Sequence, residues 1–216
     1  MNELASLLWQ STLETLYMVA VAGLFSVCGG LALGLFLVVT RPQGILAAKW
    51  LNRLLETITN MARSIPFIIL LVAIVPFTRL VVGTSIGTDA AIVPLVVGAI
   101  PYVARLIETA LLEVDRGVIE AAVTLGATPW QIVWKVYLPE ALPALIRAVT
   151  IMSLTLISYS AMAGAVGGGG LGDLAIRYGY QRFRPDVMLS TVAVLIIIVQ
   201  AFQFAGNRLA RKFDRR

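Results

Sequence analysis

The sequence predicts an all-α integral membrane protein that crosses the bilayer about five times as a single domain spanning 1–216. Three observations carry this. Of the 216 residues, 59% are hydrophobic and only 13% are charged, against roughly 25% charged in ordinary soluble domains. The mean hydropathy is +0.88. Three stretches, 15–40, 148–172 and 187–207, carry no charged residue, and about 20 apolar residues suffice for a helix to cross the hydrocarbon core.

In chain order, Leu4, Leu7, Leu8 and Trp9 predict an interfacial segment ahead of the first span, 14–40. Residues 1–15 hold Glu3 and Glu14 but no Lys or Arg, so no cleaved signal is expected. From 64 to 104 only Arg79 and Asp89 interrupt the apolar run, which fits two helices, 57–79 and 89–113, joined by a turn at 83–87. Arg63 and Arg105 then lie at helix ends, where long side chains snorkel. Arg105 and Glu108 stand at i and i+3 and read as a structural ion pair. The segment 116–143 is too polar to span and predicts a cytoplasmic elbow of short helices, with Pro139 and Pro143 interrupting any longer one. The last two spans are 144–168 and 187–208. Gly30 and Gly34, and likewise Gly164 and Gly168, form G-x-x-x-G pairs that predict close helix crossings.

Basic residues fix the orientation. With the N-terminus outside and the C-terminus inside, only Arg79, Arg177, Arg182 and Arg184 of the 17 basic residues fall outside. The cytoplasmic set ends with Arg215 and Arg216. The net charge of +5 therefore reports topology, and no nucleic-acid partner is expected.

Several chemistries are excluded. The chain has no histidine and a single cysteine, Cys28, which removes His-based nucleophile pairs, His-containing metal sites and cysteine cages. Gly167, Gly169 and Gly172 match G-x-G-x-x-G, but they follow a long apolar stretch rather than a strand, so the match carries no dinucleotide meaning. None of Lys49, Lys135 and Lys212 follows a phosphate-binding glycine loop. The spans also lack midplane charges, which argues against an ion-coupled secondary transporter.

The elbow 116–143 is the most specific segment. Val118, Ala121, Ala122 and Leu125 recur at helical spacing, Gly126 allows a C-terminal turn, and Pro129 opens a second helix. Its residue order, Glu120-Ala121-Ala122, then Gly126, Val136, Leu138 and Pro139, resembles the cytoplasmic signature of binding-protein-dependent ABC importer permeases. Val136 stands where isoleucine is more usual. The segments 63–95 and 159–183 are similar to the methionine-uptake branch of that family.

The resemblance implies a type I importer permease fold in the bacterial inner membrane, with a cytoplasmic coupling helix built on Glu120, Ala121, Ala122, Gly126 and Ala127, and with Pro139 closing the signature. Glu120 would either accept hydrogen bonds from helix-terminal amides or meet a basic group of a partner. Implied partners are a second copy of the chain, two ATPase subunits, a periplasmic or lipid-anchored binding protein, and membrane lipids. The chain itself would be no enzyme and would bind no cofactor, ATP and Mg belonging to the ATPase. The transported solute would be L- or D-methionine; another small amino acid or polar solute is the alternative. Within the fourth span, Ser158, Tyr159, Ser160 and Met162 are candidate pathway residues, although hydroxylated residues also serve helix packing. The glycine run 167–172 is similar to a flexible end of that span. Beyond it, Tyr178, Tyr180, Arg182 and Arg184 form a candidate surface for the binding protein; an interfacial tyrosine belt with solvated arginines reads equally well.

Overall fold

The computed structural model describes residues 2–214; Met1, Arg215 and Arg216 lie outside the described residues, and with them the topology reading of the last two arginines. The described residues form helices and no strands. In order these are α1 (Asn2–Val39), α2 (Lys49–Ser64), α3 (Phe67–Ala73), α4 (Val75–Val82), α5 (Thr88–Leu112), α6 (Arg116–Thr124), α7 (Pro129–Ile132), α8 (Leu138–Gly164), α9 (Gly170–Leu174) and α10 (Pro185–Phe213).

α1 and α5 are the central pair, and glycine is what lets them meet. A Cβ on Gly30 would stand 2.5 Å from Val103 Cγ1, and one on Gly34 would stand 2.8 Å from the Ala104 carbonyl oxygen. Backbones can approach this closely only without side chains between them. The core around this crossing includes Met18, Ala22, Leu95, Ile107, Leu111 and Leu156. α10 packs on the outside, with Leu189, Ile196, Ile197 and Phe204 exposed. On a membrane helix such a face is the one that meets lipid.

The segment ahead of the first span is helical and continuous with it, because nothing between Asn2 and Val39 breaks the helix. Three expectations about helices are corrected. The second span is not one helix over 57–79. α2 and α3 meet at 97°, since Pro66 has no N–H to continue the ladder and forces Ile65 into extended backbone (ψ 121°). A second break at Ile74 separates α3 from α4, with Pro76 in the first turn of α4. In the elbow, Pro139 and Pro143 do not interrupt the helix. A π-helical stretch, Val133–Tyr137, widens the chain just ahead of Pro139, which then falls in the first turn of α8, where a missing N–H is tolerated. Finally, Gly164 and Gly168 do not share a helix, because α8 ends at Gly164. Gly164 instead faces the backbone of Gly172 and Asp173, and Gly168 faces the Ala163 carbonyl.

The two ends of the bundle are closed differently. At the outer end, Glu14 Oε2 accepts from the Gly170 N–H at 2.8 Å and Thr15 Oγ1 from the Leu171 N–H at 2.9 Å, so α1 supplies the cap that α9 lacks. Tyr17 donates to Asp89 at 3.1 Å, and the Gly87 N–H donates to the Gly167 carbonyl. The glycine run expected to be flexible is packed: Gly168, Gly170, Leu171 and Gly172 are buried. At the inner end, Arg147 pairs with Asp214 at 2.8 Å. Asn52 of α2 donates to the Leu37 carbonyl and to Thr40 Oγ1, which ties the first two helices together.

Candidate coupling and translocation sites

α6 is a short helix with defined ends. Asp115 Oδ1 accepts from the Gly117 N–H at 2.6 Å and caps its start. At its other end the Gly126 N–H bonds the Val123 carbonyl and the Ala127 N–H bonds the Ala122 carbonyl. This paired closure needs a left-handed residue, and Gly126 has φ +78°. α7 then starts with a reciprocal cap between Thr128 and Gln131 behind Pro129.

No residue of α6 is buried. Ile119, Ala122 and Ala127 lean on the core, whereas Glu120, Ala121 and Gly126 face outward, together with Val118 and Leu125, which is 87% exposed. The Glu120 carboxylate has no hydrogen-bond or ion-pair partner among the described residues. Trp130 and Trp134 stand beside this surface edge to face, ring centroids 5.4 Å apart, and both are exposed. Pro139 is exposed as well, at the root of α8. Such an apolar, cytoplasmic, uncovered surface has the composition of a docking face.

The pathway candidates of α8 divide. Ser158 and Met162, one turn apart, are exposed on the same stripe. Ser160 points the other way: it is buried and its hydroxyl donates to the Ile157 carbonyl at 2.8 Å, so it packs the core. Tyr159 lies between these faces and stacks on Phe67, with centroids 4.2 Å apart and planes 5° from parallel. That stack closes one side of a cleft of about 260 Å³ at the α2–α3 break, lined also by Arg63, Gly98 and Tyr102. Irregular backbone at membrane depth is tolerated where it lines such a cavity. The sequence singled out Tyr159 but not the break; Pro66 between two apolar runs was the available signal.

The break is held from α5. Arg105 reaches Asn60 Oδ1 of α2 at 2.9 Å and Glu108 Oε2 at 2.5 Å, and Arg41 Nε lies 3.9 Å from the other Glu108 oxygen. Glu108 is buried, and its Oε1 has no hydrogen-bond donor.

In the outer loop, both Arg177 and Arg182 place their guanidinium groups over the Tyr178 ring, at 5.5 and 4.3 Å. Arg177 also pairs with Asp173, and Arg184 with Asp186. Tyr180 and Phe183 remain exposed. Of the four docking candidates, therefore, Tyr178, Arg182 and Arg184 are engaged within the loop and Tyr180 presents a free ring face.

A family model described as the binding-protein-dependent transport system inner membrane component matches residues 30–216. The chain belongs to this family. Among its relatives, the probable D-methionine transport system permease protein of Vibrio cholerae is 56% identical over 212 residues, covering 98% of this chain and 94% of the relative. The D-methionine transport system permease protein of Escherichia coli K12 is 53% identical over 210 residues, with 97% of each chain covered. Among solved structures, an inward-facing form of the MetNI methionine ABC transporter superimposes with a TM-score of 0.98 at 52% identity over 100% of both chains. An amino acid ABC transporter with histidines shares the fold, with a TM-score of 0.80 at 20% identity. The helical fold of this permease is therefore that of the type I ABC importers, and its place is the inner membrane.

Proposed function

We propose that this permease forms the membrane pathway of an ATP-driven methionine importer. The observation that carries the reading is the near-complete superposition on the permease of a methionine ABC transporter at 52% identity. Two copies line the route, a binding protein delivers methionine from outside, and a separate ATPase hydrolyses ATP with its own Mg. No cofactor is assigned to this chain.

The outward face of α6, with Glu120, Ala121 and Gly126, docks in the ATPase, while Ala122 and Ala127 on its inner side pass displacement to the bundle. Pro139 anchors the other end of that lever. Closure of the ATPase on nucleotide biases the bundle between inward-open and outward-open arrangements, a two-state balance set by differential contacts. Methionine passes the stripe of Ser158 and Met162 and the Phe67–Tyr159 cleft. A thioether suits such an aromatic wall, and Arg63 supplies a cation for the carboxylate. Ser160 serves packing. On the outer side, Tyr180 and the ring-stacked group of Tyr178, Arg182 and Arg184 meet the binding protein.

The test is uptake of radiolabelled methionine into proteoliposomes holding the chain, its ATPase and the binding protein, with ATP inside. Uptake that requires all three and is competed by unlabelled methionine is expected. ATP hydrolysis without methionine uptake would remove the substrate assignment and leave the permease role. Uptake that persists without the ATPase would remove the role itself.

A further inference from the structure

On the inner side, the end of α1, the loop 40–48, the end of α5 and the start of α6 border an open cleft of about 700 Å³. Pockets that bind small molecules commonly measure about 300–1,000 Å³. Its walls divide by chemistry. Val38, Ile45, Leu111 and Ile119 give an apolar side, and Arg41 and Arg116 give a basic one. Both arginines are close enough to the buried Tyr137 phenol to act on it electrostatically.

The charges do not cancel within the chain. Glu108 sits between Arg41 and Arg105, which leaves one positive charge on that triad. Arg116 has no ion-pair partner among the described residues, and Glu120, exposed on the outward face of α6, is also among the residues that line the cleft. One net positive charge remains. We propose that this cleft holds an anionic membrane phospholipid, its phosphate between Arg41 and Arg116 and its glycerol and first methylenes against the apolar wall. A singly charged phosphatidylglycerol closes the charge balance, whereas a zwitterionic lipid leaves it open. Free phosphate would leave the apolar wall bare. The cleft lies at the inner ends of the apolar helices α1 and α5, and basic pockets between helices on the cytoplasmic side meet such lipids. It touches α1 and α6 together, so the bound lipid braces the coupling helix against the bundle.

The experiment uses the whole complex of permease and ATPase in nanodiscs of phosphatidylcholine and phosphatidylglycerol, released into native mass spectrometry. The wild-type complex is expected to retain phosphatidylglycerol in preference to phosphatidylcholine. Arg116→Gln should lower that retention about fivefold, the share of one basic residue at a charged surface. Arg53→Gln, on α2 outside the cleft, should leave retention unchanged. Equal retention of both lipids by the wild type, as expected if the ATPase or a second copy closes the cleft, overturns the proposal. So does equal loss in both variants. If inorganic phosphate alone displaces the lipid at millimolar concentration, the apolar wall contributes nothing and the lipid assignment falls. Should Arg116→Gln fail to assemble, lipid exchange on the wild-type complex decides: phosphatidylglycerol leaving as fast as phosphatidylcholine refutes it.

Discussion

Gly126 carries a constraint of conformation rather than of space. A Cβ there would meet nothing within 4 Å, yet φ is +78°, and a left-handed residue with a side chain costs about 1–2 kcal/mol. Gly126→Val should therefore unwind the end of α6 and cut methionine uptake about fivefold or more while the complex still assembles; Gly126→Asn should keep most activity, because asparagine tolerates this conformation. Uptake per assembled complex checks both, and a Val variant with full uptake would refute the argument. Glu108 carries a different constraint. It is the buried acid that holds Arg105, and through it α2, so Glu108→Ala strands a partly buried cation. Breaking such a pair costs about 3–5 kcal/mol. The detergent-solubilised complex should melt markedly earlier, with Glu108→Gln milder because an amide still bonds Arg105. The i,i+3 spacing made this pair legible in the sequence, but Asn60 and Arg41 were not, since one stands on α2 and the other just past α1 and only tertiary packing brings them to α5.

At the scale of helices, that bend is where the sequence said least. Apolar runs locate spans well because the bilayer demands them, and α5 and α10 cover the expected stretches. They say little about direction, because a helix broken at 97° and a straight one have the same hydropathy. The prolines misled in both senses: Pro66 breaks a predicted span, whereas Pro139 is absorbed by a preceding π-helical turn. The coupling segment was legible because its signals are local, Gly126 and Pro129 amid apolar residues at helical spacing; the caps at Asp115 and at Thr128 with Gln131 emerge only in the structure. The α2–α3 cleft is assembled from four helices, α2, α3, α5 and α8, and was not legible. Tyr159→Ala removes the wall of that cleft and should raise the methionine concentration for half-maximal uptake several-fold, an aromatic contact with sulfur contributing roughly 0.3–1.5 kcal/mol. ATP hydrolysis by the complex should change little. A matching fall in hydrolysis would place Tyr159 in coupling instead. At the α1–α5 crossing, Gly30→Leu drives a side chain into Val103 and Ala104 and should abolish recovery of monodisperse protein.

For the molecule as a whole, two of the faces left uncovered in the single chain, those of α10 and α8, differ in kind. α10 presents an unbroken apolar row that suits lipid. The α8 stripe of Ser158 and Met162 mixes hydroxyl and thioether, which suits a second copy or a wetted route. In a Cys28→Ser background, Met162→Cys should form disulfide-linked dimers under mild oxidation, and Leu189→Cys on α10 should not. Linked dimers through Leu189→Cys alone would reverse the assignment of the two faces.

The cap that Glu14 and Thr15 place on α9 joins residues 156 positions apart. Synthesis proceeds at about 5–20 residues per second, so the first helix enters the membrane on the order of ten seconds before its outer latch exists. During that interval α1 is held by its packing on α2, α5 and α8 as these are made, and a chain truncated before Gly170 leaves its outer end permanently unlatched. Assembly of this permease is therefore completed at the outer surface by its own late-made loop.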